Sequence, residues 1–409
     1  MIGVIDEGMR MEAFRRPAVP DRGKAEKALE AALRKIDGNL ETFGSRFPGT
    51  VTRGNVYGLR TPENENPTKD PVEIGGNFDW TTGFWTGMLW LAYEMTGEPR
   101  YRRMAELHVE SFADRIRRRV DTDTHDLGFL YTLSCVSAWK LTGNEKAKTA
   151  ALQAADHLMT RYFEKAGIIQ AHGDLNDPRL RGRIIIDCLM NLPLLYWAAE
   201  TTGRETYRNA ARRHAENTLK YIVRPDASTY HTYYFDTETG EGKHGDTLQG
   251  FSDDSCWSRG QAWGIYGFAL SHVYLRDPVF LDASRKLAHY FLNRSPQDFV
   301  VYWDLVFTDG SGEPRDSSAS AIAVCGLLEL SKWLPEEEGG GYFRNAAVRI
   351  LESLIDRYST VSDDRSNALL LHATYFKKRD WGVDEGCLFG DYFYLEALVR
   401  MLRDWDMYW

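Results

Sequence analysis

The residues of this chain best suited to chemistry are carboxylates standing where helical patterns begin. From Arg181 to Leu194 three branched apolar residues, Ile184, Ile185 and Ile186, run into one carboxylate, Asp187. A helical pattern then continues through Leu195, Tyr196 and Ala199. Such an aspartate has two readings. It caps the helix, its oxygen accepting a bond from a free backbone N–H. Alternatively, its apolar neighbours raise its pKa, so that it keeps a proton to donate at neutral pH. Polar residues recur at comparable positions: Asp79 with Trp80, His125 with Asp126, then Trp257, Arg259, Gln261 and Trp263, then Asp316 and Asp391. Loop residues His172, His231, Gln249, Tyr302 and Trp303 are candidates to join them. Each has a structural alternative: Asp79, Asp316 and Asp391 as caps, Trp263 as core, His231 as a satisfied strand histidine. Carboxylates among aromatic walls with a few cations suit acid–base work on sugars. The histidines show no H-E-x-x-H or similar spacing, so no metal is expected. No G-x-S-x-G, Walker loop or dinucleotide fingerprint is present, and no cofactor is expected.

A repeating unit would position these groups. It consists of a polar lead-in, a strongly apolar helix, a short turn and a more polar, one-sided helix. The lead-ins fall at Asp79, His125-Asp126, Asp187, Ser258 and Arg315, with turns at Thr96-Gly97, Thr142-Gly143, Thr202-Gly203, Asp277-Pro278 and Pro335 to Gly341. A last apolar helix starts at Gly390-Asp391-Tyr392, and an amphipathic helix over 23–43 supplies the remaining polar member. Helices apolar nearly all round belong inside and one-sided helices outside. The expected fold is therefore all-α, an (α/α)6 barrel of six inner and six outer helices. It would form a single domain over 23–409 behind an N-terminal extension, 1–22. An open helical solenoid is the alternative, but it would not require this number of helices. In a ring, all lead-ins open on one face. The free N–H groups and partial positive charge of the inner helices would make a pocket that favours an anion. Strands are expected only in loops, at 228–235 and 299–307.

The chain has 409 residues and a net charge of -9, with no basic stripe, which argues against a nucleic-acid partner. The five cysteines lack C-x-x-C spacing and suit a reducing compartment. No signal-peptide pattern opens the sequence and no apolar run reaches membrane-spanning length. A cytoplasmic protein, monomeric or homodimeric, is expected.

Seven stretches closely resemble the bacterial unsaturated glucuronyl hydrolases, glycoside hydrolase family 88. They lie at 83–87 (GFWTG), 125–131 (HDLGFLY), 182–194 (GRIIIDCLMNLPL), 230–236 (YHTYYFD), 257–268 (WSRGQAWGIYGF), 315–321 (RDSSASA) and 390–398 (GDYFYLEAL), in the family's order. The resemblance implies the same barrel and removal of a 4,5-unsaturated glucuronic acid from the non-reducing end of lyase-generated, glycosaminoglycan-type oligosaccharides. It implies hydration of the C4=C5 vinyl ether, with Asp187 as proton donor and Asp126 as second essential carboxylate. Trp80, His231, Gln249, Trp257 and Arg259 are implied to line the uronate subsite, and His125, His172, Gln261 and Trp263 join them as substrate-binding candidates from their place at helix lead-ins and loops. Two departures stand out. His172 occupies a position where many members carry Trp, and 361–388 lacks the glycine-rich pattern of some members that grip sulfated sugars. Competing readings are an unsaturated rhamnogalacturonyl hydrolase acting on pectin fragments, a sugar epimerase and a non-catalytic sugar-binding barrel.

Overall fold

In this computed structural model, which describes residues 12–62 and 70–409, three apolar helices stop by a shared device. Thr96, Thr142 and Thr202 each donate a hydroxyl to the carbonyl four residues earlier, at 2.7, 2.7 and 2.6 Å. The next residue, Gly97, Gly143 or Gly203, turns left-handed at φ 72°, 69° or 72°, a conformation that strains side chains with a Cβ. The chain reverses there into a one-sided helix.

In chain order the barrel helices are α1 (Arg22–Phe43), α2 (Thr82–Thr96), α3 (Pro99–Arg118), α4 (127–142, with a π-helical turn at Thr132–Val136), α5 (Glu145–Met159), α6 (188–202, interrupted before Pro193), α7 (Glu205–Tyr221), α8 (Ser258–Leu275), α9 (Pro278–Asn293), α10 (Ser317–Trp333), α11 (Gly340–Ser353) and α12 (Leu388–Leu402). The even-numbered helices are inner. α8 is buried continuously from Ser258 to His272, whereas α3 buries a stripe that includes Tyr101, Ala105, Val109, Phe112 and Ile116. Each inner helix packs on the next, and α12 returns to α2 while α1 covers that seam, so the ring closes as an (α/α)6 barrel.

The first barrel helix starts at Arg22, one residue before the sequence-based boundary, because Asp21 caps it through the Lys24 N–H at 2.9 Å. Of the N-terminal extension, residues 1–11 lie outside the described residues. Phe14 is buried against the rings of Phe299 and Tyr342.

The strands are β1 (Tyr162–Phe163), β2 (Ile168–Ile169), β3 (Arg183–Ile185), β4 (Thr232–Phe235), β5 (Gly242–Asp246), β6 (Ala373–Phe376) and β7 (Trp381–Glu385). They form two two-stranded sheets and one sheet ordered β3-β4-β5. The expected strand at 228–235 is present as β4. The segment 299–307 makes only isolated bridges, Asp304 with Trp257 and Tyr302 with Arg315. Ile184 and Ile185 belong to β3, paired antiparallel to Tyr233 and Thr232, as suits branched side chains on a pleated surface.

The far end of the barrel is closed by the last residues. Trp409 stacks on Phe393 with centroids 5.7 Å apart, and its indole N–H donates to Glu396 at 2.8 Å. Trp405 and Tyr408 are also buried, both donating to Glu94.

Candidate active site

At the N-terminal ends of the inner helices lies a cavity of about 640 Å³. Asp126 precedes α4 and Asp187 precedes α6. They come together because a glycine brings those helices into close contact. A Cβ on Gly128 would lie 2.2 Å from Cα of Asn191, so no other residue fits without displacing α6. Asn191 locks the contact by accepting the Phe129 N–H at 2.7 Å and donating to the Asp187 carbonyl at 3.3 Å.

Asp187 is not a helix cap, since its side chain takes no N–H of α6. Nε2 of His125 lies 3.4 Å from Oδ1 of Asp126 and 3.4 Å from Oδ1 of Asp187. Both carboxylate oxygens are buried without a hydrogen-bond partner. The other Asp126 oxygen accepts from Thr124 at 2.7 Å. Burial, then the negative charge of Asp126, pushes the Asp187 carboxyl well above its ordinary range, while Arg259 and Arg183 pull the other way. Burial lifts Asp126 to about 7, opposed by its bond from Thr124. Burial holds His125 well below its ordinary value, so its ring is neutral beside two acids that share protons. His125, Asp126 and Asp187 each offer a ligand atom within 4.8 Å of the others, a clustering that their sequence spacing did not reveal. Three such donors could hold an ion with an open position, in competition with the protons that desolvation favours.

The remaining walls gather most of the other sequence candidates. Trp80 donates to the Tyr375 hydroxyl at 3.0 Å and stacks on its ring. His231 sits 4.9 Å from Trp257, with Nε2 buried and unpartnered and its pKa lowered by burial to about 3. Trp263 both lines the cavity and packs on Phe129, so the core and lining readings are each partly right. Arg259 lies over the Trp257 ring. Its terminal N–H groups are engaged by Asp316 at 2.6 Å, Gln249 at 2.8 Å and the carbonyls of Thr374 and Tyr375 at 2.8 and 2.7 Å. Arg259 thus fixes Gln249 and β6 at the cavity wall. His172 and Gln249 also line it.

Gln261 stands apart from the cavity, contrary to its sequence placement. Its amide donates to the carbonyls of Ala227 and Leu287 at 2.8 and 3.1 Å. Two residues along a helix is a turn of about 200°, so Gln261 points away from the face shared by Arg259 and Trp263. Trp303 binds Glu313, and Asp391 accepts the Leu370 N–H, both away from the cavity. Asp316 caps α10 as well as holding Arg259. Asp79 lines the cavity, paired with Arg60 at 3.0 Å. Sequence reasoning missed the β6–β7 hairpin, which brings Tyr375, Phe376, Arg379 and Trp381 to the rim. The available signal was an aromatic flank on each side of Lys377-Lys378-Arg379.

Comparison with known proteins gives a consistent placement. The model of Glycosyl Hydrolase Family 88 matches residues 60–381. The chain is 45% identical over 384 residues to an unsaturated chondroitin disaccharide hydrolase of Streptococcus pneumoniae, covering 94% of this chain and 93% of that protein. It is 44% identical over 385 residues to an unsaturated glucuronyl hydrolase of Bacillus sp., covering 94% and 98%. The crystal structure of an unsaturated glucuronyl hydrolase from Streptococcus agalactiae superposes with a TM-score of 0.91 at 44% identity, over 100% of this chain and 98% of that one. A mutant of such an enzyme in complex with dGlcA-GalNAc6S superposes with a TM-score of 0.84 at 41% identity, over 100% and 98%. A barrel of paired helices, a desolvated carboxylate dyad at its open end and these matches establish that the chain belongs to glycosyl hydrolase family 88.

Proposed function

We propose that the enzyme removes a 4,5-unsaturated glucuronic acid from the non-reducing end of lyase-generated, glycosaminoglycan-type oligosaccharides by hydrating the C4=C5 double bond. The relatives named for chondroitin disaccharides and the complex with dGlcA-GalNAc6S support this substrate class. The observation that carries the chemistry is Asp187, with an unpartnered buried oxygen beside Asp126 and a pKa raised by burial. In this reading Asp187 is the protonated acid at neutral pH. It gives its proton to C4, and positive charge develops at C5 and the ring oxygen, where the neighbouring carboxylate stabilises it. Water adds at C5 and returns a proton to Asp187. The C5 hemiketal opens by cleaving its bond to the ring oxygen, C1 becomes a hemiacetal, and the leaving sugar departs. Asp126 holds sugar hydroxyls and sets the proton affinity of Asp187. Neutral His125 sits between the two acids, its Nε2 3.4 Å from an oxygen of each, and adds no charge to the pair.

We further propose a cytoplasmic location and one barrel domain over 23–409. All five cysteines are buried and free, which fits a reducing compartment. No helix among the described residues is long and apolar enough to cross a membrane.

The test follows the ultraviolet absorbance of the conjugated double bond during incubation with a panel of unsaturated disaccharides. Wild type should erase it and Asp187→Asn should not. A signal that persists with wild type across the panel, or that Asp187→Asn removes equally fast, refutes the reading.

A further inference from the structure

Two buried cations stand behind one wall of the cavity. Arg161 and Arg183 are buried, at 3% and 8% exposure, yet among the described residues neither forms an ion pair. Arg161 donates only to the carbonyls of Gln170 and Gly173, at 3.1 and 2.9 Å. Asp123, Asp126 and Asp174 act on it only from longer range. Arg183 bonds to Nε2 of His172 at 2.5 Å, while its own Nε is buried without a partner. Buried cations without carboxylate partners are costly unless a counter-charge arrives.

His172 sits between these arginines and the cavity. It lines the cavity with an exposed side chain. An isolated bridge joins it to Thr124, two residues before Asp126, and the neighbouring Ala171 carbonyl accepts the His125 N–H at 2.6 Å. The tautomer follows from its partner. A guanidinium has only donors, so Nε2 of His172 must accept. The hydrogen of the neutral ring is then on Nδ1, and Arg183 polarises it. Desolvation, followed by the charges of Arg183 and Arg161, lowers the His172 pKa, in keeping with a neutral ring held by the Arg183 hydrogen bond.

We propose that His172, backed by Arg183 and Arg161, is a fixed N–H donor that recognises an anionic oxygen of the substrate, either a sulfate ester on the sugar next to the unsaturated residue or the carboxylate of that residue. This rests on the functional reading above and adds a residue that sets specificity. A hydrogen bond to a charged acceptor predicts roughly a tenfold or larger preference for the substrate that carries it.

The test uses three unsaturated disaccharides: one sulfated on the second sugar, one unsulfated, and one unsulfated with its carboxylate esterified. Wild type, His172→Phe and His172→Gln are compared by kcat/KM on each. Dissociation constants are also measured in the Asp187→Asn background, so recognition is read without turnover. His172→Phe should lose roughly tenfold of one preference, and His172→Gln, which can accept from Arg183 and still donate, should recover most of it. Loss of the sulfated-over-unsulfated ratio assigns the sulfate, and loss of the acid-over-ester ratio assigns the carboxylate. If both ratios survive in His172→Phe, or if no compound binds, the proposal is wrong. Discriminating binding without turnover by wild type would sink the functional reading and leave this inference standing.

Discussion

Replacing Gly128 with alanine should separate the two carboxylates, and the size of the effect can be worked from the contact. The new Cβ would lie 2.2 Å from the Asn191 Cα and 2.4 Å from its carbonyl oxygen, where ordinary contact begins at 3.4 Å. Both obstacles are backbone, so relief requires α4 to move from α6 by roughly 1 Å. His125 and Asp126 move with α4, while Asp187 stays with α6. A misplacement of that size costs catalysis on the order of 100-fold, and overpacking costs about 1–3 kcal/mol of stability. The control is Gly38→Ala in the exterior helix α1, where a Cβ meets nothing within 4 Å. That change should add roughly 0.4–1 kcal/mol through helix propensity and unfolded-chain entropy and leave kcat unchanged. The assay is loss of absorbance at saturating substrate, with thermal unfolding of both variants alongside. A Gly128→Ala enzyme with wild-type kcat and melting temperature would refute the claim that this glycine sets the dyad.

Asp126→Asn should lower kcat and also move the alkaline limb of the kcat/KM profile to lower pH, by roughly one unit or more. Without the neighbouring negative charge Asp187 gives up its proton sooner, and an unmoved limb in the residual activity would contradict that coupling. Asp391 tests a buried acid away from the chemistry. Its folded pKa is raised by burial from 3.8 to about 7, so the folded state keeps a proton that the unfolded chain releases. Stability from this group is therefore present at pH 4 and lost as pH climbs towards 7. Asp391→Asn should compare better with wild type at pH 8 than at pH 5 in thermal melts, and equal differences at the two values would count against the shift. Trp409→Ala should destabilise by about 3–5 kcal/mol yet retain turnover at 25 °C, measured by melting and by absorbance loss. Unchanged melting would show that the stack under the barrel floor contributes nothing.

The barrel was legible because its signals are local. A helix apolar on every side, such as α8, and a striped helix, such as α3, differ in composition alone, and Thr-Gly turns mark three of the reversals. Asp126 and Asp187 were legible for a related reason: each stands at the junction of a loop and an inner helix. What escaped depends on partners distant in the chain. Ile184 and Ile185 look like a lead-in to a helix until β4 arrives to pair with them. The hairpin at 373–385 reaches the cavity because Arg259 holds the carbonyls of Thr374 and Tyr375, a contact no spacing announces. Gln261 was misplaced by treating a run of helix as one face, when only every third or fourth residue shares it. The pairing of Arg183 with His172 joins a strand to a loop and was equally invisible.

The closed far end imposes an order of events. Beneath the dyad, Trp263, Phe129, Phe393 and Trp409 form a continuous aromatic floor, each at most 1% exposed. A sugar chain can therefore enter only by its tip, and both products must use the door through which the substrate came. The piece outside the cleaved bond blocks that door and departs first, while the converted uronate waits below. The uronate should accordingly compete directly with substrate for the empty enzyme, whereas the shortened chain should rebind on top of it and slow turnover even when substrate is saturating.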